Sequence, residues 1–222
     1  MIKIENHEVV GWEHSIRGMR NPKNSWERSD SFWTYIEDPE TLQTANFEFF
    51  VGDADKELMM KLAKGGPVHA KYRRMILLFV DITAPLYWWK EFDTYKVGTV
   101  ANSCSTMHKI MDKEFELDDF SHDRMTAHGV ETLLSVIKQL NYDREAYLLT
   151  KDVDYWDDLI QLLPSSYNQK RTILMNYESL SNIYKHRHSH KLAEWRELCR
   201  WMEDLPHSDL FTGVSEYLEG TI

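Results

Sequence analysis

The stretch LPSSYNQKRTILMNYESLSNIYKHRHSHKLAEWREL, residues 163–198, contains the clearest signals for the fold. The segment QKRTILMN at 169–176 is typical of a β-strand. The segments at 177–187 and 191–205 each have the apolar spacing of an α-helix. The stretch therefore predicts one strand followed by two helices.

The first of these helices carries a candidate site residue. Asn176 and Arg187 are eleven positions apart, which is about three helical turns, so both lie on the face that also contains Leu180. An arginine on an otherwise apolar face needs a partner. Arg187 either binds an anionic ligand or forms a structural ion pair with Glu178 or Glu194.

Outward from this stretch, the chain alternates strand and helix signals. Residues 17–35 are polar with turn signals and predict a long loop, as do the small polar residues 97–106. No linker separates two parts, so we expect one domain over residues 1–222. The pattern predicts an α+β fold, with a mixed sheet and several helices. Strands are expected in 2–12 and in 73–82, where a buried helix is the alternative, and helices in 53–66, 86–95, 128–140 and 154–163.

Composition restricts the class of protein. The net charge of −10 at pH 7 argues against a general nucleic-acid or membrane-surface binder, although a local basic cluster can still hold a phosphate. The two cysteines, Cys104 and Cys199, are interpreted as free thiols in a reducing compartment. The chain begins without an apolar signal segment, and its longest apolar run, 75–80, is too short to cross a bilayer, so a cytoplasmic protein is expected.

A second informative stretch is WWKEFDTYKVGTVANSCSTMH, residues 88–108, which concentrates aromatic, charged and hydroxyl side chains. Helical spacing directs Trp89 and Phe92 to the core, which leaves Tyr95 to face a ligand. Asn102 and Ser103 offer amide and hydroxyl contacts to a phosphate or a base edge, or they serve only in a turn.

Three histidines in KHRHSHK, residues 185–191, suggest a metal site at first sight. On a helix only His186 and His190 share a face, and no carboxylate completes a recognised zinc pattern. We therefore predict no metal site and interpret this locally cationic segment as a contact for an anion or a phosphate.

With these residues in view, the C-terminal stretch resembles that of the flavin-dependent thymidylate synthases, the ThyX family. The resemblance covers roughly residues 68–200 and is more specific in its C-terminal half. The matching residues are Leu163-Pro164, Asn176, Ser179-Leu180, Asn182, Arg187 and AEWREL at 193–198.

The stretch from residue 84 also resembles the signature region of that family, with substitutions. Ala84-Pro85 begins the helix, and Glu91 stands where the family has Gln. Thr94-Tyr95-Lys96 stands where the family has Arg-His-Arg, so Lys96 is the one remaining cation of this motif. Further departures are Ser103 for a Glu, Met107 for an Arg, and Ile160 or Gln161 in place of the Arg before Leu-Pro. The chain is interpreted as a divergent relative.

The resemblance implies an activity and a set of ligands. A ThyX-like protein would be a homotetramer that binds FAD and methylates dUMP or a related pyrimidine nucleotide. Methylenetetrahydrofolate would supply the carbon, and NADPH would supply the reducing equivalents. The alternative is a catalytically inactive member of the same fold that binds a nucleotide or a partner.

The resemblance also implies roles for individual residues. Ser105 would orient the pyrimidine ring, although it also suits the N-cap of a following helix. Lys96 would hold a charge beside the flavin or, alternatively, extend along the surface. The implied catalytic residues are Ser105 and Lys96; the substrate-binding residues are Arg187, Ser103, Ser105 and Glu91; the cofactor-binding residues are Tyr95, Lys96, Asn102, Asn176, Asn182 and His190.

Overall fold

The computed structural model describes residues 2–37, 44–105 and 109–213, with only the backbone of 36–37 and 44–46. Four strands form one sheet in the order β1-β4-β6-β5, and two further strands, β2 and β3, form an antiparallel hairpin. The strands are β1 (Lys3–Val10), β2 (Phe32–Glu37), β3 (Thr44–Phe50), β4 (Leu77–Pro85), β5 (Val100–Ser103) and β6 (Asn168–Asn176).

Helices of very different length precede, separate and follow these strands along the chain. Within the described residues, short 3-10 turns occur at Asn21–Lys23, Trp26–Arg28, Ala70–Met75 and Leu117–Asp119. The α-helices are α1 (Trp12–Arg20), α2 (Asp53–Lys64), α3 (Leu86–Phe92), α4 (Ala127–Thr150), α5 (Val153–Leu162), α6 (Tyr177–Arg187), α7 (Ala193–Glu203) and α8 (Asp209–Thr212). No helix in this described part is long and apolar enough to cross a membrane.

The chain divides into two compact units. Unit 1 comprises Met1–Asn6, Val80–Lys96 and Ala101–Ile173. The most extensive helix–helix contact in this unit is between α4 and α5. Thr126 caps α4 by accepting the backbone N–H of Gly129. Its apolar core contains Ile110, Phe115, Phe120, Leu133, Ile137, Leu140 and Leu159.

Unit 2 comprises His7–Phe79, Val97–Val100 and Leu174–Ile222. A buried arginine, Arg73, joins three of its segments. Its guanidinium pairs with Glu178 at 2.7 Å and donates hydrogen bonds to Ser181 Oγ and to the carbonyl oxygen of Leu210. Burial of a charge costs free energy unless its donors are satisfied, so this network fixes α6 and α8 around the 3-10 turn that contains Arg73.

A second buried ion pair in unit 2 fixes the polar segment that follows α1. Arg20 Nε lies 2.6 Å from Asp55 Oδ1, while Ser29 and Ser31 donate hydrogen bonds to Asp55 Oδ2. Burial alone would raise the pKa of Asp55, but the hydrogen bonds from both serines and the pairing with Arg20 outweigh it, and the pKa is lowered.

The α+β prediction is confirmed, as are the predicted helices and the strands predicted at 2–12 and 169–176. The strand predicted at 73–82 begins later than expected, because Ala70–Met75 form a 3-10 turn. The buried-helix alternative for 73–82 is wrong, because the residues from Leu77 onward form β4. The predicted loop at 17–35 is too long: α1 continues to Arg20 with an apolar buried face, and β2 begins at Phe32. The loop predicted at 97–106 contains the edge strand β5. All of its side chains are exposed, so its sequence lacks the alternation of apolar and polar residues, and the strand is held by backbone pairing with β6.

Candidate functional site

Three aromatic residues of α3 are buried. Trp88, Trp89 and Phe92 are at most 1% exposed, and their ring centroids lie 4.8 to 5.3 Å apart. The core interpretation of Trp89 and Phe92 is therefore confirmed, and it extends to Trp88. Tyr95 is half-buried, with its ring centroid 6.4 Å from that of Phe92, so it is the aromatic residue of this set with a partly accessible ring.

The polar candidates of unit 1 lie around the end of α3 and on β5. Lys96 is exposed, as are Asn102 and Ser103 on β5, whereas Glu91 is half-buried on α3. The carbonyl of half-buried Ser105 accepts the backbone N–H of Lys109 at 3.2 Å. That bond has the i to i+4 spacing that the carbonyl of an N-cap residue makes, as the N-cap interpretation of Ser105 requires. Met107 lies outside the described residues.

Sequence reasoning missed one cation beside this segment. Arg171 on β6 places its guanidinium 4.2 Å from the ring centroid of Trp89 and donates to Asp93 Oδ1 at 2.7 Å and to Gln169 Oε1 at 2.9 Å. Its side chain is 14% exposed. Gln169 in turn donates to the carbonyl oxygen of Cys104. Arg171 thus adds a fixed positive charge next to the substituted signature stretch, and no motif in the sequence indicates it.

The carboxylate of Asp81, in unit 1, is occupied by hydrogen bonds and an ion pair within the protein. Asp81 accepts hydrogen bonds from Thr172 and Asn6 and pairs with Lys170 at 3.1 Å. The hydrogen bond from Thr172, followed by those from Asn6 and Lys170, lowers the pKa of Asp81 to about 2. Asp81 is therefore a poor proton acceptor at neutral pH and is not a candidate general base.

In unit 2, Asn176 is the N-cap of α6. Its Oδ1 accepts the backbone N–H of Ser179 at 2.9 Å and the Ser179 hydroxyl at 3.2 Å. The same hydroxyl is also 3.0 Å from the carbonyl oxygen of Val97, to which it donates in an alternative orientation. Asn176 Nδ2 donates no hydrogen bond to the described residues, so it is the donor of this half-buried side chain that the described structure leaves without a partner.

Arg187, at the other end of α6, lies over an aromatic ring. Its guanidinium carbon is 4.7 Å from the ring centroid of Trp195. The alternative pairing with Glu178 is wrong, because Glu178 pairs with Arg73. The alternative pairing with Glu194, a buried carboxylate of α7, stays a prediction. A half-buried guanidinium over a buried indole is a preformed planar cation that suits an anionic ligand.

His190 and Asn182 occupy different environments in unit 2. His190 is half-buried, its ring edge faces Trp195 at 6.4 Å, and its Nδ1 accepts the backbone N–H of Leu192. Asn182 is exposed on α6, and its backbone carbonyl is 2.8 Å from His186 Nδ1. His188 Nδ1 lies 3.0 Å from the Tyr184 carbonyl. The imidazoles of His186 and His188 are thus directed to backbone carbonyls of α6.

The chain is similar in structure to known proteins, although its sequence matches no family model. No protein-family model matches the chain, and no curated protein matches it. Thymidylate synthase X (ThyX) from Helicobacter pylori, in a structure with FAD and dUMP, matches with a TM-score of 0.66 at 18% identity. That match covers 97% of this chain and 100% of the other. The chain has the ThyX fold.

A second protein with the ThyX fold is similar at lower identity. The UMP/dUMP methylase PolB from Streptomyces cacaoi, bound with 5-Br dUMP, matches with a TM-score of 0.60 at 13% identity, over 99% of this chain and 95% of the other. At such identities the matches establish the ThyX fold, whereas the chemistry depends on the particular side chains.

Proposed function

We propose that this chain is a divergent ThyX-like flavoenzyme that binds FAD and methylates dUMP or a related pyrimidine nucleotide. Methylenetetrahydrofolate would supply the carbon and NADPH the reducing equivalents. The observation that supports the proposal most is the match, over nearly the whole of both chains, to ThyX holding FAD and dUMP. The match to PolB with 5-Br dUMP or 5-Br UMP supports a pyrimidine nucleotide as substrate.

The residues of unit 2 fit part of a flavin site. A flavin ring presents carbonyl oxygens and ring nitrogens as acceptors, and Asn176 Nδ2 is a donor without a described partner. Asn182 and His190 would add polar contacts to the same cofactor. Bound FAD would supply the hydride chemistry that amino-acid side chains lack.

The residues of unit 1 fit a nucleotide and the cofactor edge. The Glu91 carboxylate, an acceptor, would receive a ring N–H of the pyrimidine, while the hydroxyls of Ser103 and Ser105 orient the substrate. Lys96 would hold a positive charge against the cofactor, with Asn102 and Tyr95 as further contacts. In unit 2, Arg187 would bind the anionic part of the nucleotide.

The proposal is tested by FAD binding to wild-type protein and to Asn176→Asp. Aspartate keeps the oxygen that caps α6 but removes the Nδ2 donor and adds a negative charge. We expect the wild type to retain visible flavin absorbance after gel filtration, and the variant to bind FAD at least about tenfold more weakly, as for one lost hydrogen bond plus charge repulsion. Asn24→Asp, an exposed asparagine of unit 2, is the matched control.

Failure of the wild type to bind FAD would remove the flavoenzyme proposal. Equal FAD affinity of wild type and Asn176→Asp would remove Asn176 from the cofactor site. If FAD binds, turnover of dUMP with methylenetetrahydrofolate and NADPH is measured next, and light scattering tests the proposed homotetramer.

A catalytically inactive nucleotide-binding protein is the second candidate. It is supported by the substituted signature, in which Thr94-Tyr95-Lys96 provides one exposed cation. The hydrogen bond from the Lys109 N–H to the Ser105 carbonyl gives that residue a structural role as well. Nucleotide binding without turnover, in protein that is fully loaded with FAD or does not require it, would select this candidate.

A further inference from the structure

Unit 2 contains a cleft of about 660 Å³, and none of the residues assigned above to the proposed function is among those that line it. It lies among the end of β1, the start of α1, the β2–β3 hairpin and the segment before α8. Every described residue that lines the cleft belongs to unit 2.

Aromatic faces form the walls of the cleft. Trp33 stacks on Phe47 with centroids 4.8 Å apart and planes 11° apart, and the edge of Phe49 lies 5.3 Å from Trp33. Trp33 is 47% exposed and Phe47 is 52% exposed, so both rings have accessible surface. Trp12, with its ring 4.9 Å from that of His207, adds a buried aromatic wall. Such faces carry negative electrostatic potential and attract cations.

The charged residues of the cleft have a single sign. Glu8, Glu13 and Glu48 are exposed carboxylates, and no lysine or arginine occurs among the described lining residues. Glu13 is held in place because its Oε2 accepts the indole N–H of Trp33 at 3.0 Å. One carboxylate is therefore fixed directly beside the exposed aromatic ring, with its Oε1 free of described partners.

His207, the half-buried imidazole of the cleft, adds no positive charge at neutral pH. Burial lowers the pKa of His207, the nearby charge of Lys56 lowers it further, and Asp209 opposes the change only in part. His207 is therefore neutral at pH 7 and contributes an apolar ring edge and a ring nitrogen.

We propose that this cleft binds an organic cation, with an ammonium or quaternary ammonium group on a small apolar body. The apolar body contacts the stacked rings of Trp33 and Phe47, and the charge lies against Glu13. Recognition of alkylammonium groups by aromatic walls needs this combination of accessible π-faces and nearby carboxylates. FAD, dUMP, NADPH and methylenetetrahydrofolate all carry phosphate or carboxylate groups, which the three carboxylates repel, so the ligand is a different molecule from those of the proposed function.

The experiment uses choline as a probe and its uncharged carbon isostere, 3,3-dimethyl-1-butanol, as the ligand control. Titration calorimetry on the full chain should show saturable choline binding. The isostere should bind at least about fivefold more weakly, because it has the same shape without the charge.

Two substitutions test the residues in the cleft. Glu13→Gln keeps an oxygen for the Trp33 indole and removes only the charge, and Trp33→Leu removes the stacked face. Each should weaken choline binding by about five- to tenfold. The matched controls are Trp26→Leu, whose ring is 48% exposed with its indole donating to Asn21, and Glu57→Gln on α2. Both controls should bind choline as the wild type does.

Several results would overturn the proposal. These are the absence of saturable choline binding, equal affinity for the uncharged isostere, or an equal loss of affinity in the Trp26 and Glu57 controls. Competition between choline and FAD or dUMP would show that the cleft belongs to the nucleotide site instead. If Trp33→Leu does not fold, the proposal is decided by Glu13→Gln, which removes only the charge and is expected to fold normally.

Discussion

The Nδ2 atom of Asn176 occupies the space that a Cβ atom on Gly98 would need, only 2.4 Å from the ideal Cβ position. Gly98 also has φ +73°, in the left-handed region that L side chains rarely adopt. The same asparagine caps α6 through its Oδ1. Within unit 2, one glycine therefore sets the position of a side chain that both starts a helix and is a proposed cofactor contact.

Gly98→Ala should lower the free energy of unfolding by about 2–3 kcal/mol, from the positive φ and from displacement of the Asn176 side chain. Gly66→Ala is the control, because Gly66 also has a positive φ but no atom within 4 Å of its ideal Cβ. That control should cost about 1 kcal/mol. Urea denaturation measures both, and equal losses would show that the approach of Asn176 is unimportant.

Loss of the α6 cap can be separated from loss of the ligand contact. Asn176→Ala should cost about 1 kcal/mol of stability, because no side-chain oxygen would then accept the Ser179 N–H. Asn176→Asp should keep most of that stability. Thermal unfolding in the absence of ligand checks the pair, and an alanine variant as stable as the aspartate variant would contradict the capping role.

Acid should weaken unit 2 through Asp55. A carboxyl whose pKa is lowered on folding stabilises the native state above its unfolded pKa, and this contribution disappears as the pH falls through the folded pKa. Asp55→Asn leaves buried Arg20 without a charged partner and should cost about 3 kcal/mol at neutral pH. The difference from wild type should stay constant down to about pH 5 and shrink below about pH 4.

Denaturant curves at a series of pH values test this dependence. Lys56→Gln is the control, because it removes an ion pair with Asp209 in which both side chains are substantially exposed. A difference between Asp55→Asn and wild type that is unchanged at low pH would contradict a lowered pKa for Asp55.

Arg187→Ala should weaken nucleotide binding by about tenfold or more while leaving the fold intact, because it removes a planar cation from the proposed site. Loss of the contact with Trp195 should cost only about 0.5–1 kcal/mol of stability. Arg200→Ala, at an exposed position of α7, serves for comparison. Unchanged nucleotide affinity, measured by calorimetry with dUMP, would return Arg187 to a structural role.

The two cysteines should differ in reactivity. Burial, together with the nearby charge of Glu203 and against the opposing charge of Arg187, raises the pKa of the Cys199 thiol to about 12. Cys104 is exposed. A thiol reagent should therefore modify one cysteine quickly in native protein and the second only on unfolding. Cys104→Ser should abolish the fast reaction, and a fast reaction that persists in this variant would contradict the burial of Cys199.

Much of the fold followed from local sequence patterns. The strand at 169–176 and the helices after it were predictable because their apolar spacing reports directly which face is buried. The β2–β3 hairpin was not predicted, because several of its aromatic residues are exposed rather than core-facing. β5 was missed for a related reason: its pairing depends on the backbone of β6 and leaves no trace in its own side chains.

The candidate site shows the same division. The sequence indicated Asn176 and Arg187 as polar residues at the two ends of one helix, and the resemblance to ThyX gave them roles. It did not indicate Arg171, whose significance depends on the distant partners Trp89 and Asp93. Nor did it show that Asn176 uses its oxygen for capping and leaves only its nitrogen without a described partner.

By itself, the sequence determined the α+β class, the main strands and helices, and the ThyX-like order of polar residues, because these depend on neighbours a few positions apart. Only the tertiary structure decided which polar atoms are already engaged, that Glu178 pairs with Arg73 rather than Arg187, and that Trp33 meets Glu13 in an anionic cleft. Those outcomes depend on contacts between segments far apart in the chain, whose distances no local periodicity encodes.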